Sequence, residues 1–288
     1  MSNPEVTISL TDPNTNQRDP NQQHPFSLAV LGGLPGADAR RLGCFAGEVV
    51  RAEVAHPRSL SGVDVLRLEV TPVTAEPDGF QVQIWVNDVE MTAAGAGMGM
   101  DPYDVLVPSN RFTADDEPKT IPAARCTCGV YGCGATDVQI SKVPDGIRWE
   151  WRVEVPMDRA LIFEPTAYQR EIERVAQDHS WETPVRMAGR LVLTSIHDDE
   201  LPAGLRFDWV ANNWRRPESF QVCLRNGSSH QIFIDVDWVN RSPEELSKEV
   251  RRLLVETNPR EWTAAWSSIQ RSDSPPAMAG ERWTQVRF

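Results

Sequence analysis

No stretch of this 288-residue chain approaches the roughly 18 uninterrupted apolar residues that a membrane-crossing helix needs. The opening MSNPEVTISLTDPNTNQRDP also lacks the basic patch and apolar run of a secretory leader. The expectation is a cytoplasmic protein that does not enter a membrane. Positive charge is scarce too: 29 Lys and Arg stand against 41 Asp and Glu, for a formal net charge of −12. Such a field repels phosphate backbones, and there is no Lys/Arg cluster interleaved with aromatics to override it locally. Nucleic acid is therefore excluded as the expected partner, and a protein with a basic surface is favoured.

The common catalytic templates are missing as well. There is no Gly-x-Ser-x-Gly elbow and no His-Glu-x-x-His helix. A Gly-x-Gly-x-Gly run does occur within 94–100, but no Lys-Ser/Thr and no capped helix follow it. It reads as a flexible loop rather than a phosphate cradle. No internal repeat stands out.

What the sequence does contain is a globular pattern, 40% hydrophobic and 24% charged, with apolar residues in short alternating runs. Residues 1–27, rich in Asn, Gln, Pro, Thr and Asp, read as a loose arm that cannot offset its ordering entropy by burial. The rest, 28–288, reads as one domain or as two lobes, 28–184 and 185–288.

Alternation predicts a hairpin over 63–73 and 80–89, and a second over 137–143 and 147–155. In the second, Ile147, Trp149, Trp151, Val153 and Val155 share one face. Further strands are expected at 189–196, 205–211 and 282–288. A third hairpin turns at Asn226-Gly227, with Phe220, Val222 and Leu224 facing Ile232, Ile234, Val236 and Trp238. Thr166 with Gln169 makes a capping-box pattern that opens a helix at 167–178. Ser242-Pro243-Glu244-Glu245 opens another at 243–256, and Asn258-Pro259 a third at 259–269. The fold class is thus α+β: antiparallel hairpins forming a sheet, with about three helices packed on one face.

One segment concentrates unusual chemistry. Three of the five cysteines, Cys126, Cys128 and Cys133, fall within Cys-x-Cys-Gly-x-x-Gly-Cys. An odd cysteine count without an export signal argues against a disulfide framework. On an extended strand Cys126 and Cys128 point to one face, and the glycines permit a turn that returns Cys133 beside them. Three thiolates with a fourth ligand, from Cys44, Cys223 or a histidine, would make a structural zinc site. The same residues also fit a plain packing role in a tight turn, or a redox pair.

This element, preceded by a strand like Ile84-Trp85-Val86-Asn87 and followed by a hairpin with Trp149 and a helix with Tyr168, resembles a bacterial, mainly actinobacterial, protein family. The resemblance implies no activity.

Two function classes follow. The first is a non-enzymatic interaction module, inhibitor-like or immunity-like, whose acidic surface covers a basic target. The second is a metal-dependent hydrolase built from His197, Asp198, Asp235 and Asp237, since carboxylates and a base at strand ends can hold a divalent ion. Against the hydrolase stands the ordinary reading of His197-Asp198-Asp199-Glu200 as an acidic loop, and of alternating aspartates as a solvated strand face.

Overall fold

The computed structural model describes residues 62–74, 78–213, 215–270 and 274–287. The arm at 1–27 and Cys44 lie outside the described residues.

Alternation becomes hairpins as the period-two rule demands. β1 (Leu66–Pro72) pairs antiparallel with β2 (Phe80–Val86), setting Leu68 opposite Ile84 and Val70 opposite Val82. The short β3 (Val89–Glu90) folds back on β2 and runs into a single helical turn, α1 (Met91–Ala94), whose first amides are capped by the Glu90 carboxylate. Next come β4 (Gly97–Gly99) and another single turn, α2 (Pro102–Val105), capped by Asp101. Four more strands complete a second sheet: β5 (Lys119–Cys126), β6 (Ala135–Val143), β7 (Gly146–Arg152) and β8 (Leu161–Phe163). Its order is β4-β5-β6-β7-β8, antiparallel throughout.

These two sheets meet at both edges. Bridges join Val82 to Met100 on one side and Asp64 to Phe163 on the other, so the strands wrap almost completely around a shared interior. Such a wrap leaves few open edges. Trp149 sits at its centre, fully buried, with the rings of Phe112, Trp151, Phe163 and Tyr168 at centroid distances of 5.3 to 6.1 Å. The Phe112 pair is stacked and the other three are edge-to-face, and such pairs add about 0.5–1.5 kcal/mol each beyond their buried area. Helix α3 (Pro165–Gln177) covers the wrap with Tyr168, Ile172 and Val175, one face at three-to-four spacing.

The remaining residues build a second core. α4 (Pro184–Ser195) leads into β9 (Leu205–Asn213), β10 (Arg216–Asn226) and β11 (His230–Asp237). α5 (Pro243–Arg251) follows, then β12 (Ala264–Ser268) and β13 (Trp283–Gln285). The third sheet runs β13-β12-β11-β10-β9, and only its β12–β13 pair is parallel. Ser242 and Glu245 form the capping box of α5, which packs Leu246 and Val250 inward beside Val192 of α4.

The apolar residues thus separate into two clusters, one spanning 66–175 and the other 188–283, with Tyr103 and Leu193 packed against both. The junction is held by charge. Arg186 of α4 grips Asp101 through two hydrogen bonds of 3.0 and 2.8 Å, while its guanidinium lies over the rings of Tyr103 and Phe80. Both partners are largely buried, and a buried pair holds only when geometry satisfies it this fully.

The α+β class is observed, but the described residues form three sheets and five α-helices rather than one sheet and three helices. Residues 189–196 are helical, in α4, instead of a strand: Thr183 accepts from the Arg186 amide as N-cap and Pro184 takes the first turn. Residues 259–269 are not a helix. Pro259–Glu261 make one 3-10 turn, after which Trp262, Ala264 and Trp266 bury alternately and enter β12. α3 starts two residues earlier than expected, because Glu164 rather than Thr166 caps it. The expected loop at 94–100 contains β4, and Met98 and Met100 are buried. Gly99 belongs there sterically, since a β-carbon would fall 2.1 Å from the Val82 carbonyl oxygen. β7 ends at Arg152, leaving Val153 and Val155 at 60% and 42% exposed rather than in the core.

Candidate metal centre

The cysteine element occupies the turn between β5 and β6. Cys126 is the final residue of β5, and its amide donates to the Gly134 carbonyl at 3.0 Å, closing the mouth of the loop. A tighter turn follows, in which the Gly129 amide donates to the Cys126 carbonyl at 2.9 Å. Gly129 and Gly132 take φ of +84° and +95°, a region closed to most side chains, and this reversal carries Cys133 back over Cys126. Tyr131 fastens the loop to the sheet by donating its hydroxyl hydrogen to Asp137 of β6.

The result is convergence. The sulfur atoms of Cys126, Cys128 and Cys133 all lie within 4.8 Å of one another. Zinc–sulfur bonds of ~2.3 Å in a tetrahedron place sulfurs about 3.8 Å apart, so a contraction of about 1 Å closes the set on an ion. Cys128 and Cys133 are exposed and Cys126 half-buried, which leaves the group open to entry from solvent. Partial desolvation raises the Cys128 thiol above its usual range, against the opposing pull of its hydrogen bond with the Val130 backbone. A cation would replace that proton. Beneath the loop lies Arg125, 2% exposed, whose Nη1 reaches toward the Gly129 carbonyl at 3.4 Å.

Among the described residues, this is the single group of three or more His, Cys, Asp or Glu side chains close enough to share an ion. Cys223 is not part of it. It is buried on β10 in the third sheet, 3.9 Å from the Asp208 carboxylate, and burial pushes its thiol well up.

The four hydrolase candidates are not gathered either. His197 and Asp198 lie in the turn after α4, where the Asp198 carboxylate accepts from the Phe207 amide. Asp235 is on β11 and is consumed by Asn213, Gln221 and Arg216. Its ladder neighbour on β9 is Ala211, reached through Gln221. Ala211 is four residues from Phe207, about 13 Å along the strand. Asp237 closes β11 and is exposed. No helix among the described residues is long and apolar enough to cross a membrane. No family model, no curated protein and no solved structure matches this chain.

Proposed function

We propose that the chain is a non-enzymatic interaction module whose cysteine turn is organised by one structural zinc ion, and whose acidic surface covers a basic protein partner. The observation that carries the metal part is the convergence of three sulfurs in a glycine-reversed loop. Cation binding at such a site is binding to the folded state, so it stabilises the loop by mass action. The partner part rests on the net charge of −12, which steers association with cationic surfaces and disfavours anionic ones.

Elemental analysis of purified protein tests the first part, with one zinc per chain as the expected result and a fall in melting temperature on chelation. Metal-free protein that melts identically with added zinc overturns it. Association with a lysine-rich probe peptide tests the second. Binding that weakens as salt rises is expected, whereas no binding at low salt sinks the partner assignment.

A further inference from the structure

Three sulfurs leave a tetrahedral ion one donor short, and the backbone next to the site is strained. At the end of β7, Val153 and Glu154 take φ of +46° and +37°. For a β-branched residue this is a steric outlier, and such strain persists only where something is gained by it. Packing gains nothing, because Val153, Glu154 and Val155 are all exposed. What the turn achieves is the placement of Glu154. Thr136 donates its hydroxyl hydrogen to the Glu154 carbonyl at 2.9 Å, fixing the turn against β6. The carboxylate then lies over Gly134. A β-carbon on that glycine would stand 3.3 and 3.4 Å from the two carboxylate oxygens and 3.5 Å from the Cys126 β-carbon. The position left without a side chain at 134 thus borders both the Glu154 carboxylate and the β-carbon of the first cysteine.

No hydrogen bond or ion pair engages the Glu154 side chain among the described residues. A carboxylate on the Cys126 side of the loop is suited to a cation that the three sulfurs also hold. We propose that Glu154 is the fourth donor of the metal centre, swinging by its side-chain torsions from its place over Gly134 to give a three-sulfur, one-oxygen site. This rests on the zinc reading above. Carboxylate oxygen is an ordinary zinc ligand at ~2.0–2.2 Å, and the buried Arg125 guanidinium beneath the loop helps to balance the negative charge of such a set.

Cobalt(II) titration of the full chain, read by its thiolate charge-transfer and ligand-field absorption, tests the assignment. Wild type is expected to bind one cobalt ion, displaced by zinc. Glu154→Gln and Glu154→Ala are expected to keep the charge-transfer bands, shift the ligand-field bands and lose affinity by tenfold or more, with Cys44→Ser matching wild type. If both Glu154 variants leave band positions and affinity unchanged, or if Cys44→Ser moves them instead, Glu154 is not the ligand although the zinc site stands. If wild type binds neither cobalt nor zinc, both assignments fall together.

Discussion

Gly189 of α4 leaves room for the Tyr103 ring of α2: a β-carbon at position 189 would lie 2.4 Å from the Tyr103 hydroxyl oxygen. The tyrosine cannot retreat, because it is largely buried, donates to the Arg186 carbonyl and lies beneath the Arg186 guanidinium. Gly189→Ala is therefore expected to destabilise the protein by about 1–3 kcal/mol, as overpacking does. Denaturant unfolding measures this. Combining it with Tyr103→Ala should lose less than the two single changes added together, since the clash partner is gone. Strict additivity would refute the contact.

Tyr168 sits at the centre of the first core as a two-sided polar link. Its hydroxyl donates to the Phe112 carbonyl and accepts from the Trp149 indole at 3.1 Å. Tyr168→Phe removes one atom and leaves both partners unsatisfied in a buried site, a loss of about 1–3 kcal/mol. Equilibrium unfolding followed by tryptophan fluorescence should show the midpoint falling with an unchanged slope.

Glu200 ties the turn after α4 to α5. The Arg251 hydrogen bond, first, and the His197 amide, second, hold its carboxyl down at about 2 from an ordinary 4.5. A depressed carboxyl stabilises the fold above its unfolded pKa, and that contribution disappears as pH falls through the folded value. Stability measured between about pH 4.5 and 2 should fall more gently in Glu200→Gln than in wild type. Parallel curves would show that the pair contributes nothing.

Val153 offers a stabilising change. It is 60% exposed, with φ of +46°, so Val153→Gly removes strain without opening a cavity. Relief of about 1–3 kcal/mol exceeds the roughly 0.5–1 kcal/mol of added chain entropy. A raised melting temperature is expected, and a lowered one would mean that the valine methyls hold the turn.

How much of this was legible in the sequence depended on whether neighbouring signals agreed. Where alternation was strict, as in Phe80 to Val86 or Ile147 to Trp151, strand, face and partner all followed from it. Residues 189–196 misled because the β-branched Val192, Thr194 and Ile196 favour strands, whereas the decisive cue, Thr183-Pro184, stood several residues upstream. Residues 259–269 misled in the opposite way. A genuine helix-start dipeptide opened only one turn, and the period-two burial of Trp262, Ala264 and Trp266 prevailed. The union of two sheets by the Val82–Met100 and Asp64–Phe163 bridges had no local signature at all, since such closure depends on contacts between distant segments. At the cysteine cluster the three thiols announced themselves by spacing. The proposed fourth donor, Glu154, did not, because nothing in Arg152-Val153-Glu154 foretells a left-handed turn.

α5 does not stop at Arg251 but widens into a π turn over Arg252–Glu256. That widening lets the Trp262 indole donate to the carbonyls of both Leu253 and Thr257, at 3.0 and 3.2 Å. A π turn holds one residue more than the α-helix needs, so this helix is out of phase with itself by design of its sequence. Deleting a single residue there would give a more regular helix and a worse protein. Everything beyond it would rotate by about 100°, and Trp262 would lose both acceptors and its parallel stacking on Trp283.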